Sequence, residues 1–163
     1  MERSAVEVAA LVTLRPALDT DRTFLLELYG STRQDELDRV VWGQGQREAF
    51  LSMQFLTQDA EFRRLSPDGS FDVIEVGGSP GGRLYVDRSP GELRIIDISL
   101  LPELRGRGIG TALVAGLQRE AAAADAVVSL HVEVHNRAAR LYERLGFVPQ
   151  GEPGVYLRME WRP

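Results

Sequence analysis

The chain contains no cysteine and no lysine. The first absence excludes disulfides, thiol nucleophiles and thiolate metal sites, and with them acyl transfer through a cysteinyl intermediate. The second means that all nineteen basic residues are arginine. Histidine is scarce: only His131 and His135 occur, and although Glu133 lies between them, no metal site is expected from so sparse a set. No stretch reaches the roughly 18–20 apolar residues of a membrane span, so no membrane partner is expected. The opening "MERSAVEVAALVTLRP" is interrupted at Glu7 and followed closely by Arg15 and Pro16, which makes a poor secretion signal; a cytoplasmic setting is expected. Positive charge is not in excess either. A net charge of −5 and a pI near 5.1 argue against general nucleic-acid binding.

The 163 residues suit one domain over 1–163, with no repeat and no linker. Loose alternation suggests a strand over 8–15. "DTDRTFLLELYGSTR" begins with the cap-type residues Asp19 and Thr20 and spaces Phe24, Leu25 and Leu28 as a helix. The stretch "STRQDELDRVVWGQGQREAF" reads as an exposed connection. A second helix covers 45–65, with Phe50, Met53 and Leu56 or Thr57 on one face and Phe55 and Phe62 on its flank. Strands follow at 71–76, 83–88 and 93–101, separated by "GGSPGG" and "SPGE" turns. A helix over 110–124, a strand over 126–134, a helix over 136–147 and closing strands complete the chain. In the last helix Asn136 is a natural N-cap and Gly146 a natural residue just past the C-cap. The order implies an α+β layered fold with a mixed sheet and helices on its faces. The β-α-β crossover from 93 to 134 makes that strand pair parallel.

Between the strand ending at 101 and the helix at 110 stands "LPELRGRGIGTALV", with Gly106, Gly108 and Gly110 in five positions. A dinucleotide fingerprint would need glycine where Thr111 stands, and a Walker loop would need a lysine. Glycines at a helix start let phosphate oxygens approach unpaired backbone N–H groups, and Arg105 and Arg107 add charge.

This register, Arg105 followed by Gly108 and Gly110, resembles motif A of the GCN5-related N-acetyltransferases. "HNRAARLYERLGF", residues 135–147, is similar to their motif B. The resemblance is strong over 93–150 and rests on topology alone over the first strand and the helices of 19–65. It implies a mostly antiparallel sheet of about seven strands with a splayed parallel pair, and acetyl-CoA as cofactor. Backbone N–H groups of Arg105, Gly106, Arg107, Gly108, Ile109, Gly110 and Thr111 are implied to hold the pyrophosphate. Ser99, Leu100 and Leu101 would pair with the pantetheine arm, and a bulge there would aim an N–H at the thioester carbonyl.

Tyr142, in motif B, is implied to protonate the departing thiolate, and Asn136 to bond the pantetheine or cap its own helix. The Asn-to-Tyr spacing is one residue shorter than usual, while "LYERLGF" is intact. Asp97, a carboxylate flanked by isoleucines, is the first candidate for the base that deprotonates an amine acceptor. Its plainer role is an ion pair with Arg83. Glu133 and His131 are further candidates. Acceptor contacts are sought at Arg33, Trp42, Gln46, Phe50, Met53, Gln54 and Tyr85, with Asp35, Glu36 and Asp38 as a charged mouth or a solvated loop. The expected activity is direct acetyl transfer to an amine-bearing small molecule or peptide. A non-catalytic acyl-CoA-binding module, or a longer acyl group, is the alternative. The apolar last strand makes a homodimer plausible.

Overall fold

The computed structural model describes residue 7 and residues 10–163. Its strands are β1 (Val12–Pro16), β2 (Ser70–Val76), β3 (Ser79–Ser89), β4 (Glu92–Leu100), β5 (Val127–Glu133), β6 (Val148–Gln150) and β7 (Tyr156–Trp161). Its helices are α1 (Arg22–Thr32), α2 (Gln34–Leu37), α3 (Gln46–Leu65), α4 (Ile109–Ala123) and α5 (Ala138–Arg144). The strand expected over 8–15 falls partly on residues 8 and 9, outside the described residues, and the strand seen runs Val12–Pro16. Helix α2 is an addition: its Leu37 is buried, so the presumed connection contributes to the core. Among the described residues no helix is long and apolar enough to cross a membrane.

The strands form one sheet in the order β1-β2-β3-β4-β5-β7-β6. Every neighbouring pair is antiparallel except β4 and β5. Those two pair only over Glu92–Ile95 against Val127–Leu130, after which β4 runs on to Leu100 and β5 to Glu133 apart. The bulge in β4 sits at Ile96, because Tyr85 faces Asp97 while Val86 faces Ile95. The expected position near Ser99 to Leu101 is therefore corrected: β3 keeps regular register there, out to Gly82 opposite Leu100. An extra residue bends a strand and increases its twist, and this one comes where β4 leaves β5. The expected role of the last strand is also corrected. β7 lies between β5 and β6, and the edge is the three-residue β6, whose Pro149 lacks a donor.

Helices cover both faces of the sheet. On one, Ile109, Val114, Leu117 and Ala121 of α4 and Tyr142 of α5 pack with Leu84, Ile95, Val128, Leu130 and Met159. On the other, Leu25, Leu28 and Tyr29 of α1 and Phe55 of α3 pack with Val73. The expected face of α3 is turned: Met53 and Leu56 are exposed and Phe55 is buried. Leu51, Phe55, Gln58 and Phe62 follow four-, three- and four-residue spacings along the inner face, and the polar Gln58 hides that stripe from an apolar count.

Local chemistry fixes several ends. Residues Asp19–Asp21 form a 3-10 turn, so α1 starts at Arg22 and Asp21, not Asp19 or Thr20, serves its entry. The Asp21 carboxylate accepts the Leu18 N–H and two Arg15 nitrogens, each at 2.8 Å, while Arg15 also pairs with Glu75. At the start of α5 the N-cap position belongs to Arg137, and Asn136 one residue earlier accepts the Ala138 N–H through Oδ1 at 2.9 Å. At its end Gly146 has φ +89°, the Gly146 N–H bonds Glu143 O and the Phe147 N–H bonds Tyr142 O, a Schellman closure. The "GGSPGG" turn is shorter than expected: Gly77 and Gly78 turn the chain, and Ser79 already begins β3.

Two outcomes are expected. A Cβ on Gly82 would stand 2.3 Å from Ser99 O and 2.9 Å from Leu100 Cδ2. Gly82→Ala thus forces β3 from β4 and costs about 2 kcal/mol, read calorimetrically as a Tm lower by about 5 °C. Arg15 hydrogen bonding holds the Asp21 carboxyl at about 2, below its ordinary 3.8. The pair's contribution is thus full above about pH 4 and vanishes as pH falls through about 2. Asp21→Asn should cost on the order of 1 kcal/mol at pH 7, with the gap to wild type closing in urea melts towards pH 2.

Candidate active site

Where β4 and β5 part, a cavity of about 1360 Å³ opens. Its walls are the ends of both strands, the start of α4, α5, and the inner sides of α1 and α3. The chain enters α4 through Gly106 at φ +71° and Gly108 at φ +82°, conformations that suit glycine. Gly108 is the N-cap, and the first bond of the helix is from Ala112 N–H to Gly108 O. The N–H groups of Ile109, Gly110 and Thr111 precede it at the positive end of a fifteen-residue helix. Gly106, Gly108, Ile109, Gly110 and Thr111 all line the cavity. A Cβ on Gly106 would meet nothing within 4 Å, so open space stands before the loop. The donor set fits an anion such as a pyrophosphate.

Of the two motif arginines, Arg105 lines the cavity with the glycines and Arg107 does not. The Arg105 N–H closes a turn onto Pro102 O, and its guanidinium donates to Leu100 O at 3.0 Å and Ser31 Oγ at 3.4 Å, tying the loop to α1. Arg107 is exposed and outside the cavity lining. Ser99 and Leu100 line the cavity along the unpaired part of β4, together with Ile96 and Ile98. Leu101 does not: its N–H bonds Gly81 O, and its side chain packs with the α1 and α3 cluster.

Tyr142 and Asp97 face the same cavity. Tyr142 projects from α5, buried and edge-on to Phe147 with ring centroids 5.6 Å apart. Burial first, and then the Asp97 charge, pushes its phenol up to about 12 from an ordinary 10.0, so it stays protonated at neutral pH. Asp97 Oδ2 accepts from Arg83 Nε at 2.7 Å and Ser99 Oγ at 2.9 Å. Arg83 is 3% exposed, also bonds Gln58 Oε1 at 2.8 Å, and lies over the Tyr85 ring. The ion pair named as the plainer role for Asp97 is therefore present, and it does not remove the carboxylate from the cavity. Asn136, His131 and Glu133 line the cavity as well. Partial burial and the Arg158 and Arg94 guanidiniums hold the His131 ring below its ordinary 6.5.

The acceptor-side candidates divide. Arg33 and Glu36 line the main cavity, and Met53 and Gln54 line a side groove of about 360 Å³ between α1 and α3. Trp42, Gln46, Phe50 and Tyr85 do not reach the cavity. Trp42 stacks on Phe50 with centroids 5.2 Å apart and donates Nε1–H to Leu37 O at 2.8 Å. Gln46 Oε1 accepts the Gly43 N–H, and Tyr85 is fully buried against Phe71 and Phe62. Asp38 is engaged by Gln34 and Arg47. Gln58, Ser66, Arg94 and Ile96 are lining residues that sequence reasoning did not single out. Arg94 and Ile96 carry one visible signal, their place on the same strand as Asp97. Gln58 and Ser66 carry none. Among the described residues no group of three or more His, Cys, Asp or Glu could hold a metal.

Residues 23–147 match the model of the acetyltransferase (GNAT) family. The chain is similar to a PaiA N-acetyltransferase from Thermoplasma acidophilum solved in complex with coenzyme A, at 16% identity and a TM-score of 0.67, covering 93% of this chain and 99% of that one. It is also similar to a Corynebacterium glutamicum structure described as histone acetyltransferase HPA2 and related acetyltransferase, at 23% identity and a TM-score of 0.66, covering 93% and 96%. An acetyltransferase from Thermus thermophilus matches at 18% identity and a TM-score of 0.65, covering 93% and 97%. No curated protein sequence matches the chain. At these identities the structures show a shared fold.

The buried phenol makes a spectroscopic prediction. Because its pKa is raised in the folded state, the stability it contributes is full below about pH 10 and is lost as pH rises towards 12. In a titration of phenolate absorbance, the wild-type minus Tyr142→Phe difference should stay flat through pH 10 and rise only near 12. A difference centred on pH 10 would contradict the burial.

Proposed function

The chain belongs to the acetyltransferase (GNAT) family and uses acetyl-CoA; from that premise we propose that it transfers the acetyl group directly to an amine. The observation that carries this reading is the meeting of a protonated buried phenol, Tyr142, and the carboxylate of Asp97 in one cavity that starts at the α4 N-terminus. Bound acetyl-CoA supplies an activated thioester. In this reading the N–H groups of Ile109, Gly110 and Thr111, with Gly106 and Gly108 giving access, hold its pyrophosphate. The free edge of β4, through Ser99 and Leu100, aligns its pantetheine arm, and Asn136 borders it. The segment 93–150 serves the cofactor and the helices within 19–65 serve the acceptor.

Asp97 takes the proton that the amine nitrogen sheds as the C–N bond forms. Its Oδ1 is the oxygen left over after Arg83 and Ser99 have engaged Oδ2. Tyr142 delivers its proton to the sulfur as the C–S bond breaks, and both groups then exchange with solvent. A neutral phenol at working pH suits a proton donor. Arg83 keeps the Asp97 carboxylate oriented, and Gln58 keeps Arg83 oriented from α3.

Release of CoA thiol across a panel of amines tests the reading. Tyr142→Phe should lower kcat about 10- to 100-fold while acetyl-CoA binding is kept. Binding of acetyl-CoA without thiol release against any amine would instead fit a non-catalytic acyl-CoA-binding module.

A further inference from the structure

Six arginines line the cavity: Arg105, Arg137 and Arg144 beside the start of α4 and along α5, and Arg33, Arg83 and Arg94 on the acceptor side, where they are not equivalent. Arg83 is almost wholly buried and engages Asp97 and Gln58 through Nε and Nη2, leaving only a buried Nη1 without a partner. Arg94 donates to Ser66 Oγ at 2.7 Å and to Asp87 at 3.4 Å. Arg33, immediately after α1, meets Glu36 at 3.5 Å, the limit of a hydrogen bond, with Glu36 65% exposed, and it also interacts with the Tyr29 side chain. Arg33 is fixed by packing instead: its guanidinium lies 5.3 Å from the centroid of the buried Tyr29 ring. It is half-buried, and it lines both the main cavity and the side groove. A planar guanidinium held in place but left with donors to spare is suited to a carboxylate.

The opposite wall, with Arg137 and Arg144 of the α5 segment, carries one carboxylate. Glu133, at the end of β5, lines the cavity, and its charge acts on Arg33 although the two do not meet as an ion pair. A cation and an anion thus line one cavity from different elements, Arg33 after α1 and Glu133 at the end of β5. We infer that the acceptor is an amine that also carries a carboxylate, with Arg33 binding the carboxylate and Glu133 drawing the ammonium towards Asp97. The side groove, where Met53 offers apolar surface and Gln54 and Gln58 offer amides, takes the rest of the molecule. This inference rests on the amine-transfer reading.

The test compares matched acceptors by CoA thiol release: leucine with 3-methylbutylamine, phenylalanine with phenethylamine, and a leucyl dipeptide with its C-terminal amide. Spermidine and an aminoglycoside are the carboxylate-free amines. The carboxylate-bearing members should have the higher kcat/KM by about tenfold or more. Arg33→Gln should bring each ratio near one by raising KM of the carboxylate-bearing member, and Arg33→Lys should keep part of the preference. The free amino acid and dipeptide arms distinguish the two sources of the same chemistry. Equal rates within wild-type pairs, or release only with the carboxylate-free amines, overturns this inference and leaves amine transfer standing. A preference that survives in Arg33→Gln overturns the role of Arg33. No release with any amine while acetyl-CoA binds overturns both readings. The wild-type ratios decide the substrate class even where a variant fails to fold.

Discussion

The parting of β4 from β5 after four paired residues is the constraint on which the site depends. A parallel pair inside a seven-stranded sheet would ordinarily stay bonded along its length. Here Ile96 bulges out of register with β3, and β4 bends as it leaves its neighbour. β5 still has a partner on its other side, since β7 pairs with it from Val128 to Glu133. The sheet therefore opens without falling apart, and the unpaired edge of β4 becomes a wall rather than a defect. The same opening brings the start of α4 to one end of the cleft and α1 to its mouth. The Arg105 side chain, bonded to Leu100 O and Ser31 Oγ, connects those two ends.

Electrostatics in the cleft follows from which charges are already satisfied. Arg83 is almost wholly buried, and a buried charge needs partners. It finds Asp97 on β4 and Gln58 on α3, so three elements are locked by one guanidinium. Asp97 is thereby held where Tyr142 feels its charge, and burial does the larger part of keeping that phenol neutral. The ion pair that fixes the Asp97 carboxylate uses Oδ2, and in the proposed reaction Oδ1 is the oxygen that takes the proton.

Much of the architecture was legible in the sequence because the relevant signals are local. Glycines at 106, 108 and 110, the "LYERLGF" run and the alternating strands specify elements through backbone conformation and period. Gly146 behaves as its position suggests, in the left-handed region past the last helical turn. What was not legible depends on how elements meet. The inner face of α3 includes the half-buried Gln58, whose partner is a guanidinium from β3. Trp42 resembled a pocket residue because it is a large aromatic in a polar stretch, yet its partners are Phe50 and the carbonyl of Leu37. Leu101 and Ser99 share strand parity, but the chain turns after Leu100 and the Leu101 amide is spent on Gly81. The position of β7 inside the sheet is likewise a matter of pairing, which no strand's own composition encodes.

The arginine networks have one more consequence. Each side-chain cation in the described ion pairs, from Arg15 with Asp21 to Arg83 with Asp97 and Arg158 with Glu92, is a guanidinium. A guanidinium keeps its proton at any ordinary pH and is a poor nucleophile, whereas a lysine amine would be a ready target for an activated acetyl group. With no lysine in the chain, acetyl transfer cannot erase the charges that hold this fold together. Its side chains offer no primary amine to the reaction of its own family.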